Sequence, residues 1–188
     1  MRKTIKAKDA VYPMPVLMIA AYNDEGKVEI MNAACGMMIA AGKVVLKVSK
    51  PHKTVKCILK KGAFTVSIPD ADHVTEADYF GVVSGNDTPD KFANSGHTAT
   101  KAELVDAPVI NEFPLCMECE VIDYQDGEDG LGLIGRIVNA TADEGVMDGD
   151  RLDMSLVNAI AFDPYTQGYY RVSERVGDAF KDGFKLKK

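Results

Sequence analysis

The segment Lys43–Lys61 carries the residue types that bind anions. It contains seven lysines and His52, whereas all 28 acidic residues of the chain lie outside it. The formal net charge of the chain is -6, so positive charge is concentrated in this one place. Ser49 and Thr54 add hydroxyl groups on either side of Pro51. Together these side chains offer the charge-assisted hydrogen bonds that a phosphate group accepts.

The neighbouring elements should place this basic segment where a strand turns into a helix. Val44–Val48 is β-branched and apolar, which is typical of a strand. Between Pro51 and Lys61, apolar residues recur at helical spacing, and Pro51 suits the first turn of a helix, with Ser49 expected at the N-cap. Free N–H groups and the positive end of the helix dipole favour a phosphate there, and Lys50 or Lys53 would add charge.

Two other interpretations of the basic segment stay open. A run of lysines is often a solvated helix face beside a capped start. Nucleic acid is a further class of partner, but the acidic pI of about 5.1 and the lack of aromatic residues between the lysines argue against it. We therefore expect no nucleic-acid partner.

A second polar cluster, Ser84–Phe92, could supply another cation. Ser84 and Gly85 follow a predicted helix, and Thr88 should then cap a short helix that has Lys91 in its first turn. This arrangement could aim the Lys91 ammonium at the same anion. A plain surface turn is the alternative interpretation.

Size and composition are those of an ordinary globular protein. The 188 residues are 46% hydrophobic and 27% charged, which predicts a single domain over residues 1–188. No apolar run approaches the roughly 20 residues that cross a membrane. The four cysteines fit a reducing compartment, so we expect a cytoplasmic protein with no membrane partner.

The cysteines are not expected to do chemistry. Cys116 and Cys119 form a CxxC, which could be a redox dithiol or half of a metal site. However, their segment reads as extended chain, in which residues three apart point to opposite faces. No second CxxC exists and only three histidines are present, so we predict no metal site. Cys35 and Cys57 are expected in the core.

The remaining pattern predicts a mainly β fold with helical insertions. Asn23–Gly26 should join two strands in a hairpin, and Gly62 should end the helix that starts near Pro51. Further strands are expected at Phe64–Ile68, Leu115–Tyr124 and Gly132–Thr141. Several strands with a few interposed helices favour a closed or partly closed barrel.

The order and spacing of short runs along the chain resemble the flavin reductase-like family. This family includes the flavoredoxins and binds FMN on a split β-barrel. The resemblance covers roughly Met14 to Gly183. The matching runs are Pro13–Val16, Val28–Ala34, Val48–Thr54, Gly62–Ile68, Asp78–Gly81, Ser84–Gly85, Asp90–Phe92, Ala107–Pro108, Glu118–Val121 and Gly135–Val138.

The resemblance implies a homodimer with FMN near the subunit interface. The residues that match the family's ring-contacting segments are Asn32, Ala33, Ala34, Cys35, Val48 and Ser49. Those that match its phosphate-contacting segments are Ser49, His52, Lys53, Thr54, Ser84, Gly85 and Lys91. His52 could equally serve as a helix cap.

The chain departs from the family beside the flavin ring. Many relatives carry an aromatic residue where this chain has Cys35, and this chain has no tryptophan at all. Met37 or Met38 could then pack beside the ring, or an aromatic of the partner chain such as Tyr169 or Tyr170 could do so.

The resemblance implies an oxidoreductase in which FMN accepts hydride from NAD(P)H and passes electrons to a flavin, a metal complex or a protein. No catalytic acid or base is predicted, because no paired carboxylates or nucleophile–base motif occur. A non-enzymatic FMN electron carrier and a flavin-free binding module are the alternatives. Gly130–Gly135 matches GxGxxG as text, but it lies in a predicted strand, so we expect no dinucleotide fingerprint.

Overall fold

The computed structural model describes residues 1–4 and 11–187. Its strands are Met14–Pro15 (β1), Leu17–Tyr22 (β2), Val28–Ala33 (β3), Gly36–Ala40 (β4), Lys43–Val48 (β5), Ala63–Ile68 (β6), Ala99–Lys101 (β7), Pro108–Ile110 (β8), Leu115–Gly127 (β9), Gly130–Ala142 (β10), Met147–Asp148 (β11), Arg151–Leu152 (β12), Ile160–Asp163 (β13) and Gly168–Arg171 (β14). Its α-helices are Lys53–Lys61 (α1), Val74–Val82 (α2), Lys91–Asn94 (α3) and Met154–Val157 (α4). Short 3₁₀ turns cover Ala71–His73, Glu144–Val146 and Asp182–Leu186. Strands take 43% of the residues and helices 20%, so the predicted mainly β fold with helical insertions is confirmed.

The main sheet is antiparallel and has the strand order β3-β2-β6-β9-β10-β5-β4. Its two edge strands, β3 and β4, follow each other in the chain, and only Ala34 and Cys35 separate them. Because so short a connection spans at most about 11 Å, the two edges lie close together. The Lys47 amide also donates to the Cys35 carbonyl over 2.7 Å. The sheet therefore curls back on itself around a core.

Alternate residues of the strands point into this curl, as the pleat of a strand requires. Leu17 and Ile19 of β2 and Leu133 of β10 lie there, fully or almost fully buried. Helix α1 contributes Val55 and Ile58 from its apolar face. This contact fixes the start of α1, and with it the basic segment, against the sheet.

The outer face of β2 is covered as well. Met18 and Ala20 point away from the curl and pack with Ile30 of β3 against Ala77 and Phe80 of helix α2. Strand β2 is thus buried on both faces, which explains why it reads as a continuous apolar run. The same packing brings the C-terminal end of α2 next to the start of α1.

Both predicted helix starts were placed too early. Helix α1 begins at Lys53 with His52 at the N-cap, and Ser49 instead accepts a turn hydrogen bond from the His52 amide over 3.1 Å. Helix α3 begins at Lys91, three residues after Thr88, with Asp90 at the N-cap. Neither cap residue bonds through its side chain. In both cases a turn lies between the predicted cap residue and the first residue of the helix.

The run Gly130–Gly135 lies in strand β10, as the sequence predicted. Gly130 begins the strand with φ +113°, and a Cβ there would lie 2.7 Å from the Val48 carbonyl. A Cβ on Gly135 would lie 2.5 Å from Cζ of the buried Phe64 ring. Both glycines therefore allow close packing at positions where a side chain would overlap a neighbour.

In the described ranges, residues 1–4 and 11–187, no helix has the length and apolar character to cross a bilayer. Residues 5–10 and Lys188 of the predicted single domain lie outside the described residues. The cytoplasmic location stays a prediction.

Candidate functional site

The two predicted polar clusters meet in one pocket. The start of α1 contributes His52, Lys53 and Thr54, and the second cluster contributes Ser84, Gly85 and Lys91. Strand β3 and the end of α2 complete the lining with Met31, Asn32, Phe80, Gly81, Val82 and Val83. We call this the basic pocket.

A side-chain amide joins the two clusters directly. Asn86 Nδ2 donates to the Pro51 carbonyl over 3.0 Å, and Lys56 Nζ donates to Asn86 Oδ1 over 3.4 Å. Gly85 lies so close to Lys53 that a Cβ there would be 3.5 Å from the Lys53 Cδ. Segments about thirty residues apart in sequence therefore form a single surface.

Lys53 is held in the basic pocket by an ion pair. Its Nζ lies 2.6 Å from Oε1 of Glu29, and Asn23 Nδ2 donates to the same oxygen over 3.0 Å. Glu29 is 3% exposed, so this carboxylate is almost completely removed from solvent. Glu29 was not among the predicted site residues, although it shares a strand face with the core residues Met31 and Ala33.

Lys91 is buried at the base of the pocket, with 5% of its surface exposed. Its Nζ donates to the carbonyls of Phe80 and Val83 over 2.9 and 2.8 Å. These carbonyls lie at the C-terminal end of α2, where a helix leaves acceptors without partners. Burial lowers the pKa of Lys91 to about 8, and the Glu29 charge opposes this shift. Lys91 therefore stabilises the end of α2 as well as placing a cation in the pocket.

The other predicted phosphate residues differ in exposure. Thr54 is buried and His52 is exposed. His52 occupies the N-cap, the position that its alternative role as a helix cap requires, but its side chain makes no capping hydrogen bond. Ser84 accepts a hydrogen bond from the Asn86 amide over 3.2 Å, which shapes the turn before α3.

Several predicted residues lie outside the basic pocket. Val48 is buried in the core and Ser49 is exposed in the turn before α1, and neither lines this pocket. Ala33 also faces the core. Lys50, the less favoured cation, pairs with Asp126 across the β9–β10 hairpin.

A second pocket adjoins the basic pocket and shares Asn32, Gly81 and Val82 with it. Its other lining residues are Val16, Ala34, Asp78, Phe162, Gln167 and Tyr169. We call it the side pocket. Asn32 Nδ2 donates to the Ala77 carbonyl over 3.0 Å, which fixes the side chain between the two pockets.

Tyr169 and Asp78 form the polar pair of the side pocket. The Tyr169 hydroxyl donates to Asp78 Oδ1 over 2.8 Å. Burial, followed by this hydrogen bond and the Asp78 charge, raises the pKa of Tyr169 to about 12. From the sequence, Tyr169 was expected only as an aromatic of a partner chain, and Asp78 was not predicted as a site residue. The pair could not be foreseen because β14 and α2 are far apart in sequence.

On the other side of Ala34 lies an apolar hollow, which we call the apolar groove. It is lined by Val11, Pro13, Met14, Pro15, Ala34, Cys35, Gly36, Met37, Val45, Lys47 and Gly132. Cys35 is exposed, so its predicted place in the core is wrong, because the β3–β4 connection turns outward at this residue. Cys57 is half-buried against the core.

Cys116 and Cys119 lie on the extended strand β9, as predicted, and both are buried. Burial raises the pKa of the Cys119 thiol to about 12 and also raises that of Cys116. Neither thiol is therefore poised as a thiolate. Across residues 1–4 and 11–187, no group of side chains is arranged to hold a metal ion.

The fold of the chain is that of a known class of protein. The chain belongs to the family described as flavin reductase like domain, whose model matches residues 9–164. It is similar to the flavoredoxin of Desulfovibrio vulgaris (Miyazaki F), with 33% identity, a TM-score of 0.90, and coverage of 97% of this chain and 100% of that one. A flavoredoxin from Methanosarcina acetivorans shows 27% identity and a TM-score of 0.87, covering 98% and 100% of the two chains.

A curated relative from Pyrococcus abyssi (strain GE5 / Orsay), described as an uncharacterized protein, is 25% identical over 142 residues. That match covers 75% of this chain and 81% of the relative. The resemblance inferred from the sequence and the split-barrel fold that it implied are confirmed.

Proposed function

We propose that this chain binds FMN and acts as an oxidoreductase of the flavin reductase or flavoredoxin type. The observation that carries the proposal is the basic pocket, where two separate polar segments converge. Lys53 and Lys91 supply charge, and Thr54 and Ser84 supply hydroxyl donors. This donor set fits a phosphomonoester, which accepts several charge-assisted hydrogen bonds at once.

The side pocket is the proposed place for the flavin ring. Asn32 borders both pockets, so one ligand could extend from the basic pocket past Asn32 towards Ala34. Backbone of Ala33, Cys35, Val48 and Ser49 is proposed to complete the ring site from the β3–β4 connection and the end of β5. Tyr169 and Asp78 add a polar wall opposite.

FMN, when bound, supplies the hydride and electron chemistry. We propose NAD(P)H as the hydride donor and a flavin, a metal complex or a protein as the electron acceptor. The residues of this chain hold the phosphate, orient the ring and shield it from water. We assign no catalytic acid or base.

A second candidate function is a non-enzymatic FMN electron carrier that turns over NAD(P)H poorly. It is favoured by the position of Gly130–Gly135, since this GxGxxG lies within a strand and no helix opens after it. A nicotinamide donor would then have to bind through the flavin alone.

Two measurements test these proposals. The absorption spectrum of the purified protein, followed by titration with FMN, tests flavin binding. A colourless protein that does not bind added FMN would contradict both flavin proposals and favour the flavin-free binding module. Stopped-flow mixing of the FMN-loaded protein with NADH or NADPH then separates the two candidates. Bleaching of the flavin on a catalytic timescale supports the enzyme, and its absence supports the carrier.

We also propose that the chain forms a homodimer. The edge strand β4 exposes Met37, Met38 and Ile39, with Met37 65% exposed. The C-terminal segment likewise exposes Val176 and Phe180 almost completely. An apolar edge strand is normally covered in a stable protein, and a second copy of the chain would cover it beside the apolar groove.

A further inference from the structure

Glu29 places a negative charge directly behind the basic pocket. Its side chain is buried in β3, and a Cβ on Gly85 would lie 3.0 Å from its Oε2. Gly85 itself lines the pocket. Only the thickness of this glycine backbone therefore separates the carboxylate from a phosphate bound there.

A carboxylate at this place opposes the proposed ligand in two ways. It repels a phosphate at short range, where partial burial makes the Coulomb interaction strong. It also pairs with Lys53 at 2.6 Å, so that much of the Lys53 charge is already compensated before any ligand arrives. The ammonium of Lys91, the other lysine that lines the pocket, is instead bound by the Phe80 and Val83 carbonyls, which carry no net charge.

The negative charge is not required by the local packing. Asn23 donates to Glu29 Oε1, and an amide oxygen would accept that hydrogen bond equally well. The Lys53 side chain is 28% exposed, so water could reach it and solvate its ammonium without Glu29. An amide would therefore satisfy the site and hold an anion more tightly.

We propose that Glu29 is a specificity-determining residue that limits the affinity of the basic pocket for the FMN phosphate, so that FMN exchanges with solvent. This inference rests on the proposed function. Glu29 would hold the Lys53 side chain in place for the phosphate while compensating much of the Lys53 charge.

The test is the substitution Glu29→Gln, which keeps the side-chain shape and removes the charge. Dissociation constants for FMN and riboflavin are measured by calorimetry at pH 7, and FMN release is followed by stopped-flow. We expect FMN to bind about tenfold more tightly, with slower release, as the loss of one nearby like charge implies. Riboflavin, which lacks the phosphate, should bind unchanged.

Asp24→Asn is the matched control. Asp24 pairs with Lys60, which lies on α1 as Lys53 does, at 2.6 Å, but the side chains of Asp24 and Lys60 are both 67% exposed. Asp24→Asn changes the net charge of the protein by the same amount as Glu29→Gln, but water screens the exposed Asp24 charge from the pocket. We expect it to leave both ligands unaffected. If Glu29→Gln weakens FMN or leaves its affinity unchanged, the inference is overturned.

A double substitution covers the case in which Glu29→Gln does not fold because Lys53 has lost its partner. Lys53→Met combined with Glu29→Gln removes both charges together, which is far less disruptive than removing one. This protein should bind FMN more tightly than Lys53→Met alone, and equal or weaker binding overturns the inference. Failure of the unmodified protein to bind FMN would instead overturn the proposed function.

Discussion

Lys53 and Lys91 carry the same charge but have different surroundings. Lys53 reaches the basic pocket from the first turn of α1 and keeps part of its surface in water. Lys91 is buried against the end of α2, with its ammonium bound to two carbonyls. We therefore expect the two side chains to answer differently to substitution.

Lys53→Ala should weaken FMN binding selectively. Loss of one charge-assisted contact costs about 1.5–3 kcal/mol, or about tenfold or more in affinity, while riboflavin should lose little. Calorimetry with both ligands measures this difference. Lys60→Ala, on the same helix and in an exposed pair, is the control, and equal losses for FMN and riboflavin would contradict a phosphate role for Lys53.

Lys91→Met should weaken both ligands, because it also removes two hydrogen bonds from the end of α2. Hydrogen bonds to a charged donor contribute about 1.5–3 kcal/mol each, so the free energy of unfolding should fall by several kcal/mol, less what the apolar methionine regains by burial. Urea unfolding with and without riboflavin measures both effects. An unchanged stability would show that α2 does not depend on Lys91.

The lowered pKa of Lys91 predicts a pH dependence. In the unfolded chain this group titrates near 10.5, whereas in the fold its pKa is about 8. Between these values the unfolded state binds more protons, so the contribution of Lys91 to stability rises with pH across this window. The cost of burying its charge is fully present below about pH 8.

Urea unfolding of the unsubstituted protein and Lys91→Met at pH 7, 9 and 10 tests this sign. The stability difference between them should move in favour of the lysine protein as pH rises. FMN affinity should fall over the same window, because the phosphate needs the charged form. A difference that is constant with pH would contradict the assignment.

At the scale of elements, strand β10 meets the core through a glycine. The Phe64 ring of β6 occupies the space in which a side chain at residue 135 would stand. Two elements of the curled sheet thus pack more closely than two ordinary strands could. A glycine also allows α2 to pack closely on β3, since a Cβ at Gly81 would be 3.3 Å from Asn32 Cβ.

Gly135→Ala should lower the free energy of unfolding by about 1–3 kcal/mol, because the added methyl group overlaps the buried Phe64 ring. Gly132→Ala is the control on the same strand, where a Cβ would make only an ordinary contact at 3.7 Å. Thermal and urea unfolding compare the two. Equal stability of the two variants would show that the sheet adjusts without cost.

At the scale of the whole molecule, one edge of the main sheet exposes three consecutive apolar residues, Met37, Met38 and Ile39. Strand β4 is an edge of the sheet, and its exposed residues are apolar in a chain whose net charge is -6. The apolar groove runs beside this edge and ends at Ala34 and Cys35. A dimer across β4 would therefore bury apolar area next to the proposed ring site.

Ile39→Lys should convert the proposed dimer into a monomer, because it places a charge in the apolar contact. Light scattering after size-exclusion chromatography measures the mass. Leu104→Lys, at another exposed apolar position, should leave the mass unchanged. A monomeric unsubstituted protein would rule out the dimer.

Local patterns were sufficient for much of the fold. The hairpin at Asn23–Gly26, strands β5, β6, β9 and β10, and the end of α1 at Gly62 follow from alternation, β-branched residues and turn chemistry. Strands β4 and β14 were missed, although each pairs in an antiparallel hairpin with the preceding or following strand, β5 or β13. The run Gly36–Ala40 shows no alternation of apolar and polar residues, so its sequence carries no strand period. The helix starts were wrong because their turns depend on contacts such as Asn86 with Pro51.

The sequence by itself determined that positive charge is concentrated at Lys43–Lys61, that a second polar cluster accompanies it, and which family the chain belongs to. These properties are local or depend on the order of short runs. Only the tertiary structure decided that the two clusters share one pocket, that Glu29 lies behind Gly85, and that Lys91 is buried at the end of α2. The physical reason is that burial and charge pairing depend on contacts between strands and helices far apart in the chain, which no local pattern encodes.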